Sequence, residues 1–174
     1  MTVGALASNG KYGMALYAGH HAGDYWVQSD HDAAHKGLPG KEGHLACLRH
    51  VLSYTATQAV MVGIQAAATK SRPNLPRLAL GLAVSAVTHY AADRRDHGLM
   101  VKLAKRIPGK EKFLKLGVPR QGARYLEDPE NVTEPAHYSY DDNPSLGTGS
   151  WALDQSWHIV LGVFLPSLII GDDE

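Results

Sequence analysis

Cysteine is almost missing from this chain: Cys47 stands alone among 174 residues. An internal disulfide is therefore excluded, as is a zinc site built on thiolate pairs, and a reducing cytoplasm is the expected compartment. Excess charge is missing too. Seventeen Lys and Arg face seventeen Asp and Glu, and a chain without a basic surplus is not expected to coat nucleic acid. Long apolar runs are also scarce. Of the stretches 51–69, 77–88 and 159–171, only the first nears the roughly 20 residues that cross a bilayer, and Thr, Gln and Ala dilute it. With a slightly negative mean hydropathy, these read as buried helices of a soluble protein, with membrane association as the alternative. The opening residues lack the basic start of a signal peptide, and Asn9, Gly10 and Lys11 interrupt their apolar run. There is no GxxxxGK[ST] phosphate loop, no GxSxG elbow and no paired Glu-x-x-His of the carboxylate di-iron bundles.

What is present is helical periodicity. The pattern predicts helices over about 12–28, 44–70, 76–95, 98–107 and 150–170, with a short one after Ser29 and another piece at 110–116. Ser29 and Asp32 have the spacing of a capping box, Pro76 suits a first helical turn, and Pro166 is placed to kink the last helix. Residues 117–149 are rich in Pro, Gly, Asn and Asp and read as a long loop covering a site. The expectation is an all-α, compact helical bundle of about five main helices with a long loop before the last one, in a single domain over 1–174.

Charge is unevenly placed. Residues 94–124 hold ten Lys or Arg against Asp96 and Glu111, whereas 125–157 hold seven acidic residues and no Lys or Arg. A basic helix face beside an acidic loop accounts for this; a basic rim for an anionic substrate is the sharper reading.

The stretch GHHAGDYWVQSDHDAAHKG, residues 19–37, packs four His and three Asp among small and aromatic residues. It opens a wider pattern. His20/Asp24, His89/Asp93 and Asp154/His158 each stand four apart, which puts each pair on one helix face. All three pairs lie in apolar surroundings, where an uncompensated carboxylate is costly. His50, on the long helix, is a fourth contributor. Imidazoles and carboxylates converging from several helices are what a divalent ion requires, and a bundle can supply them around one axis. Self-satisfied His–Asp pairs that fix helix register are the alternative. The candidate metal ligands are thus His20, Asp24, His50, His89, Asp93, Asp154 and His158, too many for one ordinary zinc site, so that one or two ions per chain are expected. Gln28 extends the His20/Asp24 face, and Arg94 and Arg95 follow Asp93, as candidate substrate-binding residues. His21, His31, His35, His44, His97 and His137 are read as surface residues or supports, with the added note that a His-rich stretch such as 31–35 takes up metal without being a built site.

These residues resemble the motifs of a family of small helical bacterial and phage proteins of unknown function. That family has His-x-x-x-Asp-aromatic-x-x-Gln-[Ser/Thr]-Asp with a later Lys, matched here by His20, Asp24, Tyr25, Gln28, Ser29, Asp30 and Lys36. It also has a His on the next helix, an apolar His-x-x-x-Asp and a terminal Asp-Gln-x-x-His, to which His50, His89 with Asp93, and Asp154-Gln155 with His158 are similar. The resemblance spans about residues 15–165. It implies kinship with membrane-bound metal-dependent hydrolases, and more distantly with all-α zinc-dependent phospholipases and nucleases; here the helices are shorter and more polar.

The expected function is a metal-dependent hydrolase acting on a phosphoester or nucleotide-like substrate through a metal-bound hydroxide. The cofactor would be a divalent ion, zinc first and manganese next, and the partner a small anionic substrate. The alternative is a non-enzymatic structural or membrane-associated helical protein with buried His–Asp pairs.

Overall fold

The computed structural model describes residues 10–116 and 148–173. Among these residues the protein is all-α, without strands; a lone antiparallel bridge joins Pro73 to Asp172. The helices are α1 (Gly13–Ala22), α2 (Asp30–His35), α3 (Gly40–Ala68), α4 (Leu75–Asp93), α5 (Leu99–Arg106), α6 (Lys110–Leu114), α7 (Gly149–Trp157) and α8 (Leu165–Ile169). Residues 117–147, which hold most of the loop expected over 117–149, lie outside the described residues, as does His137. The described residues fall into two compact units, one within Met1–Leu103 and Asp154–Glu174, the other within Ala104–Leu153. In the smaller unit, Gly149 N–H donates to the Leu116 carbonyl (2.9 Å). The larger unit carries the candidate site described below.

Ser29 and Pro76 act as expected, while the Asp32 carboxylate that a capping box would turn back pairs with Arg49 instead. Ser29 accepts from the backbone N–H of Asp32 at 3.1 Å and starts α2. Asn74 accepts from Arg77 N–H at 3.1 Å and starts α4, with Pro76 in its first turn. In the larger unit α1 and α4 pack on α3, and the C-terminal helix packs on α4 and α1. Gly19 and Gly23 allow α1 its close approach to α3. A Cβ on Gly19 would stand 2.7 Å from the Gln58 Cα, and one on Gly23 would stand 2.9 Å from the Tyr54 ring.

Two helices depart from the 3.6-residue period that the sequence predicts. The expected helix over 12–28 turns to π bonding over Gly23–Val27, with Gln28 N–H donating to the Gly23 carbonyl (3.1 Å). The last helix does the same over His158–Phe164, between α7 and α8. Pro166 has no N–H for the Gly162 carbonyl one turn back. That carbonyl is met from α4 and α3 instead, with Ser85 Oγ at 2.6 Å and Gln58 Nε2 at 3.4 Å. The proline expected to kink the helix thus frees an acceptor that ties it to the bundle.

The larger unit is layered along its axis. Tyr12, Ala15, Leu16, Val62, Ala66, Val163 and Ile170 form an apolar core at one end. A polar layer follows: buried Gln58 donates to Tyr54 Oη (3.0 Å) and to the Leu16 carbonyl (3.3 Å), while Ser85 Oγ lies 2.7 Å from Gln58 Oε1. Beyond that layer the axis is filled by imidazoles and carboxylates.

One reading of the apolar runs changes. The segment 159–171 reads as too short to span a bilayer, yet the continuous helix Gly149–Ile169 is 21 residues long and apolar enough to do so by length and composition. Trp151, Ala152 and Leu153 extend the run on its N-terminal side.

Candidate metal centre

All seven candidate ligands converge. His20 comes from α1, Asp24 from the π turn after it, and His50 from α3. His89 and Asp93 come from the end of α4, Asp154 from α7, and His158 from the start of the second π segment. His20, His50, His89 and His158 are fully buried or nearly so, Asp93 is buried, and Asp154 is the most exposed member. Both π segments therefore begin at or beside a cluster residue, and π turns of this kind recur at functional sites.

The tightest group is formed by His50 Nε2, His89 Nε2, Asp24 Oδ1 and Asp93 Oδ2. The two imidazole nitrogens lie 2.9 Å apart. Each is 3.0 Å from Asp93 Oδ2 and 3.3 Å from Asp24 Oδ1. Around an ion with bonds of about 2.0–2.1 Å, neighbouring donors stand about 2.8–3.4 Å apart, the low end octahedral and the high end tetrahedral. These five separations fall in that interval. Asp24 Oδ1 is also buried without a hydrogen-bond partner in the protein, a costly position for a carboxylate oxygen unless a cation meets it.

The second oxygens of the same two carboxylates face the remaining histidines. Asp24 Oδ2 lies 3.4 Å from His20 Nδ1, and Asp93 Oδ1 lies 3.6 Å from His158 Nε2. Asp154 Oδ2 is 3.5 Å from that same Nε2, which likewise has no hydrogen-bond partner. Asp24 and Asp93 thus stand between a tight donor set and a looser one. Three His/Asp groups here could hold a metal ion: His20–Asp24–His89, His50–His89–Asp93 and Asp93–Asp154–His158.

The electrostatics reflect the crowding. Burial first, with His158 and His89 adding to it against the pull of Asp24, drives His20 down to about 4, so its imidazole is neutral near pH 7. Burial likewise lowers His89, against the pull of Asp93. For His158 burial also pushes down, but the Asp154 and Asp93 carboxylates outweigh it and raise the ring to about 10. His50 is raised in the same way by Asp24 and Asp93. Burial pushes the Asp24 carboxyl up, yet His50 and His89 hold it at about 2. Asp93 is held well below the usual carboxylate range, against burial, by Lys36 first and His89 second.

Lys36 was visible in the sequence only as a motif position, and it proves to be the cation that the fold brings to the carboxylates. Its Nζ lies 2.9 Å from Asp93 Oδ2. Gln28 supports it: with its side-chain amide turned to satisfy both neighbours, it accepts from Lys36 Nζ (2.9 Å) and donates to the Asp24 carbonyl (3.2 Å). Gln28 therefore contacts the site through Lys36. Gln155 reaches His20 Nε2 at 3.3 Å, and the Tyr54 ring lies against His89 with centroids 3.7 Å apart.

Arg94 and Arg95 sit elsewhere. The buried Arg94 guanidinium donates to the carbonyls of Lys36 (2.6 Å) and Leu38 (2.7 Å), clamping the α2–α3 loop. Arg95 is exposed, has φ of 47°, and donates to the Ala33 carbonyl at 2.9 Å. Arg94 acts on the site by holding the segment that carries Lys36. His97 is exposed and His44 pairs with Tyr90 Oη, so both lie apart from the cluster, while His21 stacks on Tyr25.

No protein family matches this chain, and no curated protein and no solved structure matches it either.

Proposed function

We propose that the protein is a metal-dependent hydrolase of phosphoesters. The reading is carried by the tight donor set His50, His89, Asp24 and Asp93, whose separations of 2.9–3.3 Å suit one divalent ion. Zinc is the first candidate, because neutral imidazole and carboxylate are its ordinary ligands. A divalent ion bound there supplies a water of lowered pKa and positive charge for phosphoryl oxygens. His158 and Asp154, with the outer oxygen of Asp93, would hold a second ion. Metal binding would require His50 and His158 to give up their protons; the three carboxylates against Lys36 then leave two negative charges, which one divalent ion balances. A second ion then favours an anionic ligand, which fits a phosphoester. Asp154 is the least buried carboxylate and is the choice for proton transfer with solvent. Lys36 neutralises charge on the substrate or holds Asp93 in place. The resemblance to metal-dependent hydrolases points the same way.

The test is elemental analysis of untagged, desalted protein beside a His89→Ala/Asp154→Ala variant, followed by phosphoester assays. One or two transition-metal equivalents, lost together with hydrolysis in the folded variant, are expected. A wild-type protein that takes up no metal when it is supplied refutes the reading.

A second reading has its own observation. Leu52, Val60 and Ile64 on α3, Leu80 and Val87 on α4, and Val160 and Phe164 on the last helix are large apolar side chains left exposed. Together with the bilayer-length helix Gly149–Ile169, they favour a membrane-associated protein, whether or not it is an enzyme. Ultracentrifugation without detergent separates the cases: sedimentation with membranes supports association, and a monodisperse supernatant refutes it.

A further inference from the structure

A separate group of ligating side chains lies on the outer side of α2. His31 and His35 are one helical turn apart, and their rings stack with centroids 4.1 Å apart and planes at 9°. His35 Nδ1 lies 2.7 Å from the His31 carbonyl, so Nδ1 carries the proton and donates, leaving a lone pair on Nε2. A metal-ligating histidine is usually held in this way, its far nitrogen fixed by an acceptor. The free Nε2 lies 3.5 Å from Glu42 Oε1 in the first turn of α3. His31 Nδ1 lies 3.4 Å from Asp32 Oδ1 and 3.3 Å from Arg49 Nη2, while Arg49 and Asp32 are themselves paired at 2.6 Å. Donation from His31 Nδ1 to Asp32 likewise leaves its Nε2 available. One donor atom each from His31, His35 and Glu42 falls within 4.8 Å of the other two.

The geometry points to a second, solvent-facing site for a divalent transition ion, made by His31, His35 and Glu42 and independent of the buried centre. Two imidazoles and a carboxylate, with solvent completing the shell, select ions of the zinc, nickel and copper type over magnesium or calcium. The site joins two elements. α2 has six residues, too few to be stable alone, and an ion shared with Glu42 clasps it to the start of α3. The residue after His35 is Lys36, so the clasp would steady the segment that delivers Lys36 to Asp93.

The experiment is calorimetric titration of untagged, chelator-treated full-length protein with Zn2+. It compares wild type, His35→Ala, Glu42→Gln and His89→Ala/Asp154→Ala. His31 and Glu42 are exposed and His35 is partly so, and circular dichroism verifies the fold of each variant. The expected result is a class of sites weakened roughly tenfold or more in His35→Ala, as loss of a ligand or its support costs. Glu42→Gln should weaken the same class, and His89→Ala/Asp154→Ala should keep it. If the buried centre binds nothing, this class is still present in wild type and still lost in His35→Ala. A titration that His35→Ala leaves unchanged overturns the site. A Glu42→Gln titration identical to wild type overturns it too, since the helix pair alone would then be taking up metal.

Discussion

Asp93→Asn is the most informative single change. Asp93 Oδ2 meets Lys36 at 2.9 Å and both His50 and His89 at 3.0 Å, in a buried position. The substitution keeps the shape of the side chain and removes its charge. Without metal, the immediate loss is the buried partner of Lys36, and breaking such a pair costs about 3–5 kcal/mol. At about 2–4 °C per kcal/mol for a chain of this size, Tm falls by about 6–20 °C. Metal adds a second difference. An ion supplied at about 100 times its Kd stabilises the native state by about 2.7 kcal/mol, or about 5–11 °C on the same scale. Wild type should show that increment and Asp93→Asn should show almost none, because the tight set loses its shared carboxylate charge. The assay is differential scanning calorimetry of chelator-treated protein with and without Zn2+, both proteins carrying His35→Ala so that the outer His31/His35/Glu42 site does not contribute. Each protein is its own reference, so the unfolding cost of the substitution does not mask the metal term. An equal Zn2+ increment in wild type and Asp93→Asn would refute the assignment of Asp93 as a ligand. A wild type with no increment would refute the buried centre itself.

Lys36→Gln removes the positive charge nearest the donor set while keeping a side chain able to donate to Asp93. Zn2+ affinity of the buried centre should rise by about tenfold or more, since the ion no longer competes with an ammonium close to the same oxygen, whereas phosphoester turnover should fall; weaker binding measured by competition with a chromogenic chelator would contradict this account. At the other end of the bundle, Asp172 accepts from Lys11 Nζ (2.6 Å) and Tyr12 Oη, and these contacts hold its carboxyl below the usual range. A carboxyl depressed in the folded state stabilises above its unfolded value, near pH 4, and that contribution disappears as pH falls through the folded value. The Tm gap between wild type and Asp172→Asn should therefore be constant from pH 5 to 7 and close below about pH 4; a gap that widens in acid would show the sign to be wrong.

The His–Asp pairs were legible because of where they sit. Each lies four apart on a helix whose other residues are apolar, so one short pattern carries both a shared face and burial. His89 and Asp93 after LALGLAVSAVT are the clearest instance. Their convergence followed from the number of helices, since a bundle has one axis for such faces to meet on. The cap at Ser29 was legible too, being a contact within one turn, and so was Pro76 in the first turn of α4; the Asn74 cap beside it was not read. Lys36 was not, except as a motif position. It lies in a loop with no periodicity, and its place on Asp93 depends on α2 folding back across α3, where Arg94 clamps the carbonyls of Lys36 and Leu38. The same dependence made Arg94 look like a substrate ligand, because a guanidinium next to a site residue in sequence can point along or away from it. Nor could the π turns be read from a 3.6-residue pattern. The first stands where Gly23 closely approaches Tyr54, a tertiary contact, and the second runs up to Pro166, whose missing N–H is a local signal that does not by itself specify a π turn.

Those two turns also bear on why so polar an axis is retained. Apolar side chains of similar volume would fill the space around Asp24 and Asp93 with less desolvation. Register alone would need one satisfied pair, and the Gln58–Ser85–Gly162 layer already locks α3, α4 and the last helix together. The His/Asp cluster lies beyond that layer and leaves Asp24 Oδ1 and His158 Nε2 buried without hydrogen-bond partners in the protein. Polar groups kept for packing are satisfied by their neighbours; these two are not, Asp24 Oδ1 standing 3.3 Å from His50 and His89 Nε2 and His158 Nε2 standing 3.5–3.6 Å from Asp154 and Asp93. Cations held by these two donor sets would supply what the neighbours do not, and the proposed metal reading accounts for these two atoms where the register reading does not.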